Sequence, residues 1–297
     1  MFEMTNNMKV VGFTFVRNAI KYDYPVLESI NSLLPLCDEV VVAVGKSDDG
    51  TLGLIQRIGS PKIRIIETVW DDSLREGGRV LAVETDKALA AVPADADWAI
   101  YLQADEVLHE ADYATIRAGM AQWQDDKAVE GLLLNYRHFY GSYDYVGDSY
   151  RWYRREIRIV RPGMGVQSYR DAQGFRRADN CKLRVRLLDA TVHHYGWVKP
   201  PAAMQRKQET FNKLWHSDEW VAQNVAPAEE FDYSQVDSLQ RFTGTHPAAM
   251  QPRINAQNWR FDHDLARNRY RFKDRFKQTL ERLTGYRLGE YRNYKLL

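Results

Sequence analysis

The sequence predicts an α/β fold built on a parallel, crossover-connected sheet, and three observations predict it. Short β-branched apolar runs alternate with helical patterns through the first hundred residues, as they do where crossover helices join parallel strands. The runs are apolar without alternation, which marks strands buried on both faces. The polar segments that follow them are rich in carboxylates, and ligands of such sheets sit beyond the carboxyl ends of the strands.

Each element can be argued in turn. KVVGFTFV (9–16) reads as a central strand, and RNAIKYDYPVLESINSLLPLC as a helix with Ile20, Tyr24, Leu27, Ile30 and Leu34 at helical spacing. EVVVAVG is a second buried strand, KSDDGT a turn, LGLIQRI a short amphipathic helix and KIRIIETVW a third strand. RVLAVETDKALAAV is a helix that leads past PADAD into a fourth strand, WAIYLQ. From residue 131, GLLLNYRHFYG and REIRIVR read as strands, and the aromatic segment between them, YGSYDYVGDSYRWY, as a substrate loop. A basic, turn-rich stretch, YRDAQGFRRADNCKLRVR, precedes a strand ending in ATVHHYGWV and a helical region from Pro200 to about Trp220. Beyond Pro227 the chain is polar. Its last helix carries Phe272, Phe276, Leu280 and Leu283 on one face and is expected to end at Gly285 as a C′ glycine.

Composition narrows the function. The 297 residues suit one large or two ordinary domains, and 44% hydrophobic with 27% charged residues is globular. Forty-one basic against 40 acidic residues give +1, so no global field draws the chain to nucleic acid. Cys37 and Cys181 lack disulfide-framework or zinc spacing and are expected to be buried thiols in a reducing compartment. No apolar stretch approaches the roughly 20 residues that span a bilayer, and no signal-peptide pattern opens the chain, so a cytoplasmic protein is expected.

The loops after the four strands carry Arg17 and Asn18, then Asp48 and Asp49, then Asp71 and Asp72, then Gln103, Asp105 and Glu106. Neither a GxGxxG nor a Walker-type phosphate loop occurs at any of them. The constellation with most chemistry is Asp105-Glu106 at one strand end together with His193-His194 at another. Carboxylate oxygen and imidazole suit Mn2+ or Mg2+ bridged to a diphosphate, whose oxygens and waters complete the octahedron. The competing roles are an acidic cap for the helix that follows and two packed histidines.

The runs KVVGFTFVRN, VVVAVGKSDDGT and DWAIYLQADEVL resemble, in order and spacing, the family 2 glycosyltransferases of the GT-A fold, with their acidic D-x-S-x-D-x-T-type loop and DxD motif; HHYGWVK resembles the downstream histidine segment. The resemblance covers about residues 8–215. It implies a GT-A-like nucleotide-binding sheet flanked by helices (nucleotide-binding half about 8–106, acceptor half about 107–225), with 226–297 a mainly helical extension. It further implies transfer of a sugar from a nucleoside-diphosphate sugar to an acceptor hydroxyl, carbohydrate or lipid-linked, by inversion. Asp105 is then the metal carboxylate, completed by His194 or His193, which alternation points to opposite faces. Nucleotide contacts fall to Arg17, Asn18, Asp48, Asp49, Asp72, Arg79, Lys87 and Gln103. Gln103 stands where the motif has its first Asp, so it adds no charge to a metal site; the alternative is a non-catalytic nucleotide- or sugar-binding protein with a decayed metal centre.

A single displacement needs a general base behind the sugar, and Asp144 and Asp148 in the aromatic loop are the candidates. Tyr140, Tyr143, Tyr145, Tyr150, Trp152 and Tyr153 there either stack on sugars or close a small core. Arg154 and Arg158 share one strand face, Arg155 and Arg161 the other, and solvated faces are expected for most of them. From Arg260 onward, eleven Lys or Arg stand against five Asp or Glu, a candidate for peripheral contact with anionic lipid. A nucleotidyltransferase would want a glycine-rich basic loop after the first strand, and FVRNAIKYDY offers none.

Overall fold

Seven consecutive apolar or small residues, VVGFTFV, make β1 (Val10–Val16), buried along its whole length in a computed structural model that describes residues 8–225, 228–268, 272–284 and 287–297. The chain continues through α1 (Val26–Leu33), β2 (Glu39–Gly45), α2 (Thr51–Gln56), β3 (Ile63–Thr68), α3 (Arg79–Ala90) and β4 (Trp98–Tyr101). Next come β5 (Glu106–Leu108), α4 (Tyr113–Gln122), β6 (Gly131–Tyr140), β7 (Ser142–Gly147), β8 (Arg155–Val160), β9 (Val166–Tyr169), β10 (Gly174–Arg177) and β11 (Leu183–Trp197). The last part holds α5 (Pro201–Lys213), α6 (Asp218–Asn224), β12 (Leu239–Arg241), α7 (Gln251–Asn255), α8 (Phe272–Thr284) and β13 (Tyr294–Leu296).

The fold is α/β, a large central sheet flanked by helices. β3, β2, β1 and β4 are parallel neighbours in that order. Beyond β4 the sheet turns mixed: β8 pairs antiparallel with both β4 and β6, while β11 runs parallel to β6 and antiparallel to β5. Unalternated apolar strands need cover on both sides, and they have it. Val10, Val16, Val40, Val42 and Ile100 pack with Ile30 and Leu33 of α1 on one face. Val11, Phe13, Phe15, Val41 and Tyr101 pack with Val80 and Ala88 of α3 on the other. At about 1.5–3 kcal/mol for each large apolar side chain buried, these two layers dominate the fold's stability and hold the strand ends, and so the loops after them, in fixed positions.

Several expectations change. The first helix begins at Val26, because residues 17–25 form turns that close on the Asn18, Ala19 and Ile20 carbonyls and are held by Lys199. The aromatic segment is not one loop: residues 142–147 are β7, paired with β6 and β12, and Tyr143 and Tyr145 are core residues. The turn-rich basic stretch contains the β9–β10 hairpin. Arg158 and Arg161 are buried, not solvated, because each finds acceptors inside: Glu106 for Arg158 and the Val129 carbonyl for Arg161. Cys37 is buried, but Cys181, in the turn before β11, is exposed. In the last third, β12 and β13 join the main sheet through β7 and β11. Gly285, expected to end the last helix, lies outside the described residues, as does Pro227. Among the described residues no helix is long and apolar enough to cross a membrane.

Candidate functional site

At the carboxyl ends of β1 and β4, under α5, lies a cavity of about 470 Å3 whose walls include Arg17, Trp70, Gln103, Asp105, His194 and Lys207. Asp105 enters it from the turn between β4 and β5, where its backbone carbonyl accepts from Tyr195 of β11 at 2.8 Å. That bond ties the carboxylate to the strand that carries the histidines. Its Oδ2 accepts from Lys207 Nζ at 3.3 Å, and its Oδ1 stands 3.7 Å from His194 Nε2. Burial opposes ionisation there, but the Lys207 ammonium outweighs it and holds the carboxyl down at about 2. Gly196 is required beside this pair, since a Cβ at that position would lie 2.7 Å from both Asp105 Oδ2 and the His194 ring.

The hydrogen bonds behind His194 determine which of its nitrogens is bare. His138 Nε2 lies 2.8 Å from the Tyr153 carbonyl, an acceptor, so that nitrogen carries the proton. Burial keeps His138 neutral, pushing its pKa well down, and its Nδ1 is therefore an acceptor. Nδ1 of His194, 3.2 Å away, must be the donor. His194 Nε2 is then a lone pair aimed at the Asp105 carboxylate. Two acceptors facing each other in a buried pocket are complementary to a cation, and carboxylate plus imidazole is a donor set that suits Mn2+ or Mg2+. The protein supplies two such donors: no cluster of three or more His, Cys, Asp or Glu occurs among the described residues. The remaining ligands would have to come from a bound phosphate and water.

His193, on the alternate face of β11, is elsewhere. It stacks on Phe139 and sits 3.4 Å from Arg137 Nη1, and burial together with Arg137, His109 and His246 holds its pKa at about 3.

Of the expected nucleotide contacts, Arg17 and Gln103 line the cavity and the others do not. Arg17 lies over the Trp70 ring at 4.3 Å and pairs with Asp72 at 2.8 Å. Asn18, in a left-handed conformation, accepts from the Asp48 amide through its side chain. Asp48 pairs with Lys21, and Asp49 accepts from the Lys21 and Thr51 amides. The acidic loop thus fastens the turn after β2 to the turn after β1. Arg79 is exposed at the start of α3, and Lys87 donates to the Val69 carbonyl and Glu84. Asp144 is exposed on β7, and Asp148 lines a separate cavity of about 490 Å3 together with Arg137 and Tyr153.

Sequence reasoning missed Trp70, His138, Asp171, Lys199 and Lys207. Lys199 is buried, donates to the Tyr22 carbonyl at 2.8 Å and lies 4.5 Å from the Tyr24 ring centre. A lysine just past a β-strand and another on a helix carry no local signal of where they converge. Trp70 ends a strand run and was legible only as its apolar terminus.

No protein-family model matches the chain, and no curated protein matches it in sequence. In structure it is similar to residues 1–349 of S. aureus TarS in complex with UDP, at 14% identity over 75% of this chain and 68% of that one, with a TM-score of 0.42; it spans 41% of the longer TarS structure. It is similar to glucosyl-3-phosphoglycerate synthase of Mycobacterium tuberculosis with Mn2+, UDP and phosphoglyceric acid, at 14% identity over 45% and 44% of the two chains and a TM-score of 0.31. A further similar structure is 4-diphosphocytidyl-2C-methyl-D-erythritol synthase of Anaerococcus prevotii, at 12% identity over 67% and 93%, with a TM-score of 0.39.

Proposed function

We propose that the protein is a metal-assisted glycosyltransferase that takes its sugar from a nucleoside-diphosphate donor. The observation that carries this reading is the approach of His194 Nε2 to the Asp105 carboxylate at 3.7 Å, in a cavity at the carboxyl ends of parallel strands. The resemblance of the three sequence runs to family 2 glycosyltransferases agrees with it. Asp105 and His194 would hold a divalent cation, which when bound supplies counter-charge to a diphosphate.

The chain's own residues do the rest. Trp70 and Arg17 offer an aromatic face and a cation beside the ends of β1 and β3, suited to a nucleobase and a phosphate. Lys207, 3.3 Å from Asp105, brings a second positive group to where the leaving diphosphate accumulates charge, and its field is strengthened because both side chains are largely buried. Lys199 holds the 18–24 turn against the cavity through the Tyr22 carbonyl. The acceptor is a carbohydrate or lipid-linked hydroxyl, and the reaction a single inverting displacement.

Calorimetric titration with UDP, GDP, dTDP and CDP, each with and without Mn2+, tests the proposal on the wild type and Asp105→Ala. Binding of one nucleotide that Mn2+ strengthens in the wild type but not in the variant is the expected outcome. A folded wild-type chain that binds none of the four refutes the transferase reading. Metal-independent binding, unchanged in Asp105→Ala, refutes the metal role and favours a non-catalytic nucleotide-binding protein.

A further inference from the structure

We propose that Asp171 is the general base of this site and that Gln103 positions it; the inference rests on the transferase reading above. Among the described residues, Asp105 and Asp171 are the two carboxylates that line the cavity. Asp105 accepts from Lys207 and faces His194 across the proposed cation site. Asp171 enters the cavity from the turn between β9 and β10.

The backbone around Asp171 is held in an uncommon shape. Arg170 and Ala172, on either side of it, have φ of +57° and +64°, left-handed conformations that residues with a Cβ rarely adopt and that cluster where a site needs a fixed geometry. The β9–β10 turn keeps that shape because it is fastened from below. Gln103 Nε2 donates to the Ala172 carbonyl at 3.1 Å, and Arg158 Nη1 donates to the Gln173 carbonyl at 3.1 Å. From above, Gly78 lets α3 approach, since a Cβ there would lie 2.9 Å from Asp171 Cβ. The groups facing Asp171 are Arg170 from its own turn, Arg158 from β8 and, more remotely, Glu156, while His216 lines the same cavity. Burial raises its pKa, against the pull of its own amide and of Arg170 and Arg158, which makes it a better proton acceptor than an exposed aspartate.

The departure from DxD then has a physical reason. An aspartate at 103 has acceptors alone and would repel the Ala172 carbonyl, whereas the Gln103 amide donates to it and docks the turn. In the step assigned here, the acceptor oxygen forms its bond to the anomeric carbon as that carbon's bond to the diphosphate oxygen breaks. The bonding pair leaves with the nucleoside diphosphate, and the hydroxyl proton passes to Asp171.

Nucleoside diphosphate release from UDP-glucose, UDP-N-acetylglucosamine, GDP-mannose and dTDP-glucose, with water as acceptor, tests this alongside calorimetric nucleotide binding. Asp171→Asn is expected to lower kcat by roughly 100-fold or more, to leave nucleotide Kd within about threefold, and to abolish the acid limb of the pH–rate profile. Asp171→Ala serves if the amide fails to fold. Gln103→Glu, which keeps size and loses the donor, is expected to lower kcat about tenfold or more with donor KM unchanged. A kcat for Asp171→Asn above about a third of wild type, or a raised donor KM with unchanged kcat, overturns the assignment. So does absence of release from all four donors by a wild type that binds nucleotide. If the wild type binds no nucleotide, the transferase reading fails and this inference falls with it.

Discussion

Glu106 sits beside the metal candidate Asp105 in sequence but does different work, and replacing it by glutamine should show this. The Glu106 and Arg158 side chains are both fully buried. The carboxylate accepts from Arg158 Nε and Nη2 at 2.8 Å each, from the Tyr136 hydroxyl at 2.7 Å and from the Gln103 amide at 3.0 Å. All four partners are donors. The amide of Glu106→Gln can satisfy those on one side only, pointing its NH2 at donors on the other and leaving the guanidinium a buried charge without a counter-ion. Removing one partner of such a pair costs about 3–5 kcal/mol. With a urea slope of about 3 kcal/mol/M, the unfolding midpoint should fall by roughly 1–1.7 M. Adding Arg158→Met removes the stranded charge, so the double variant should be less destabilised than the sum of the singles by about 2 kcal/mol. Urea unfolding at neutral pH followed by circular dichroism measures all three. A loss below about 1 kcal/mol in Glu106→Gln, or strict additivity, would refute the picture of a closed ion pair.

Two further predictions follow from the same geometry. His138→Leu removes the acceptor that fixes the His194 tautomer and should weaken Mn2+ binding by roughly 10–100-fold, while His138→Gln, which offers both an acceptor and a donor, should recover most of it; calorimetry giving equal affinities for all three proteins would break the tautomer argument. Glu156 is buried with Oε2 lacking a partner among the described residues, and burial pushes its pKa up to about 7, with Arg158 and Gln173 opposing. Its folded pKa exceeds its unfolded value, so its stabilising contribution is complete below about pH 4.5 and lost as pH rises through about 7. Glu156→Gln, neutral throughout, should match wild type near pH 4.5 and exceed it by about 3 kcal/mol near pH 8.5. The same stability difference at both pH values would count against it.

The sequence was most legible where local pattern and tertiary burial agree. VVGFTFV and EVVVAVG have no polar face to expose, so they had to be interior strands, and the loops after them had to lie at one end of the sheet. Asp105 and His194 were legible because both end strand patterns at that edge. What brings them together was not. Alternation on β11 separates His193 from His194, but the choice between them depends on His138, whose place opposite His194 is set by the parallel register of β6 and β11, a pairing across 56 residues with no local signature. YGSYDYVGDSYRWY misled for a related reason. Its glycines and aspartates are turn residues, but its tyrosines alternate as a strand does, and β7 forms because β6 and β12 offer edges to it.

The acidic loop shows how one pattern can serve two ends. Asp48 and Asp49 were expected to touch a nucleotide. Within the chain they hold Lys21, Thr51 and Asn18, fastening the two turns that flank Arg17, which itself faces the cavity. A carboxylate-rich loop fixing the position of a neighbouring cation is physically sensible where the ligand is a diphosphate. Cations held in place from behind meet the ligand at its own charge. The same logic places Asp105, the acidic group at the centre of the cavity, between Lys207 and a histidine lone pair, where its charge is opposed by the protein on one side and is available to a cation on the other.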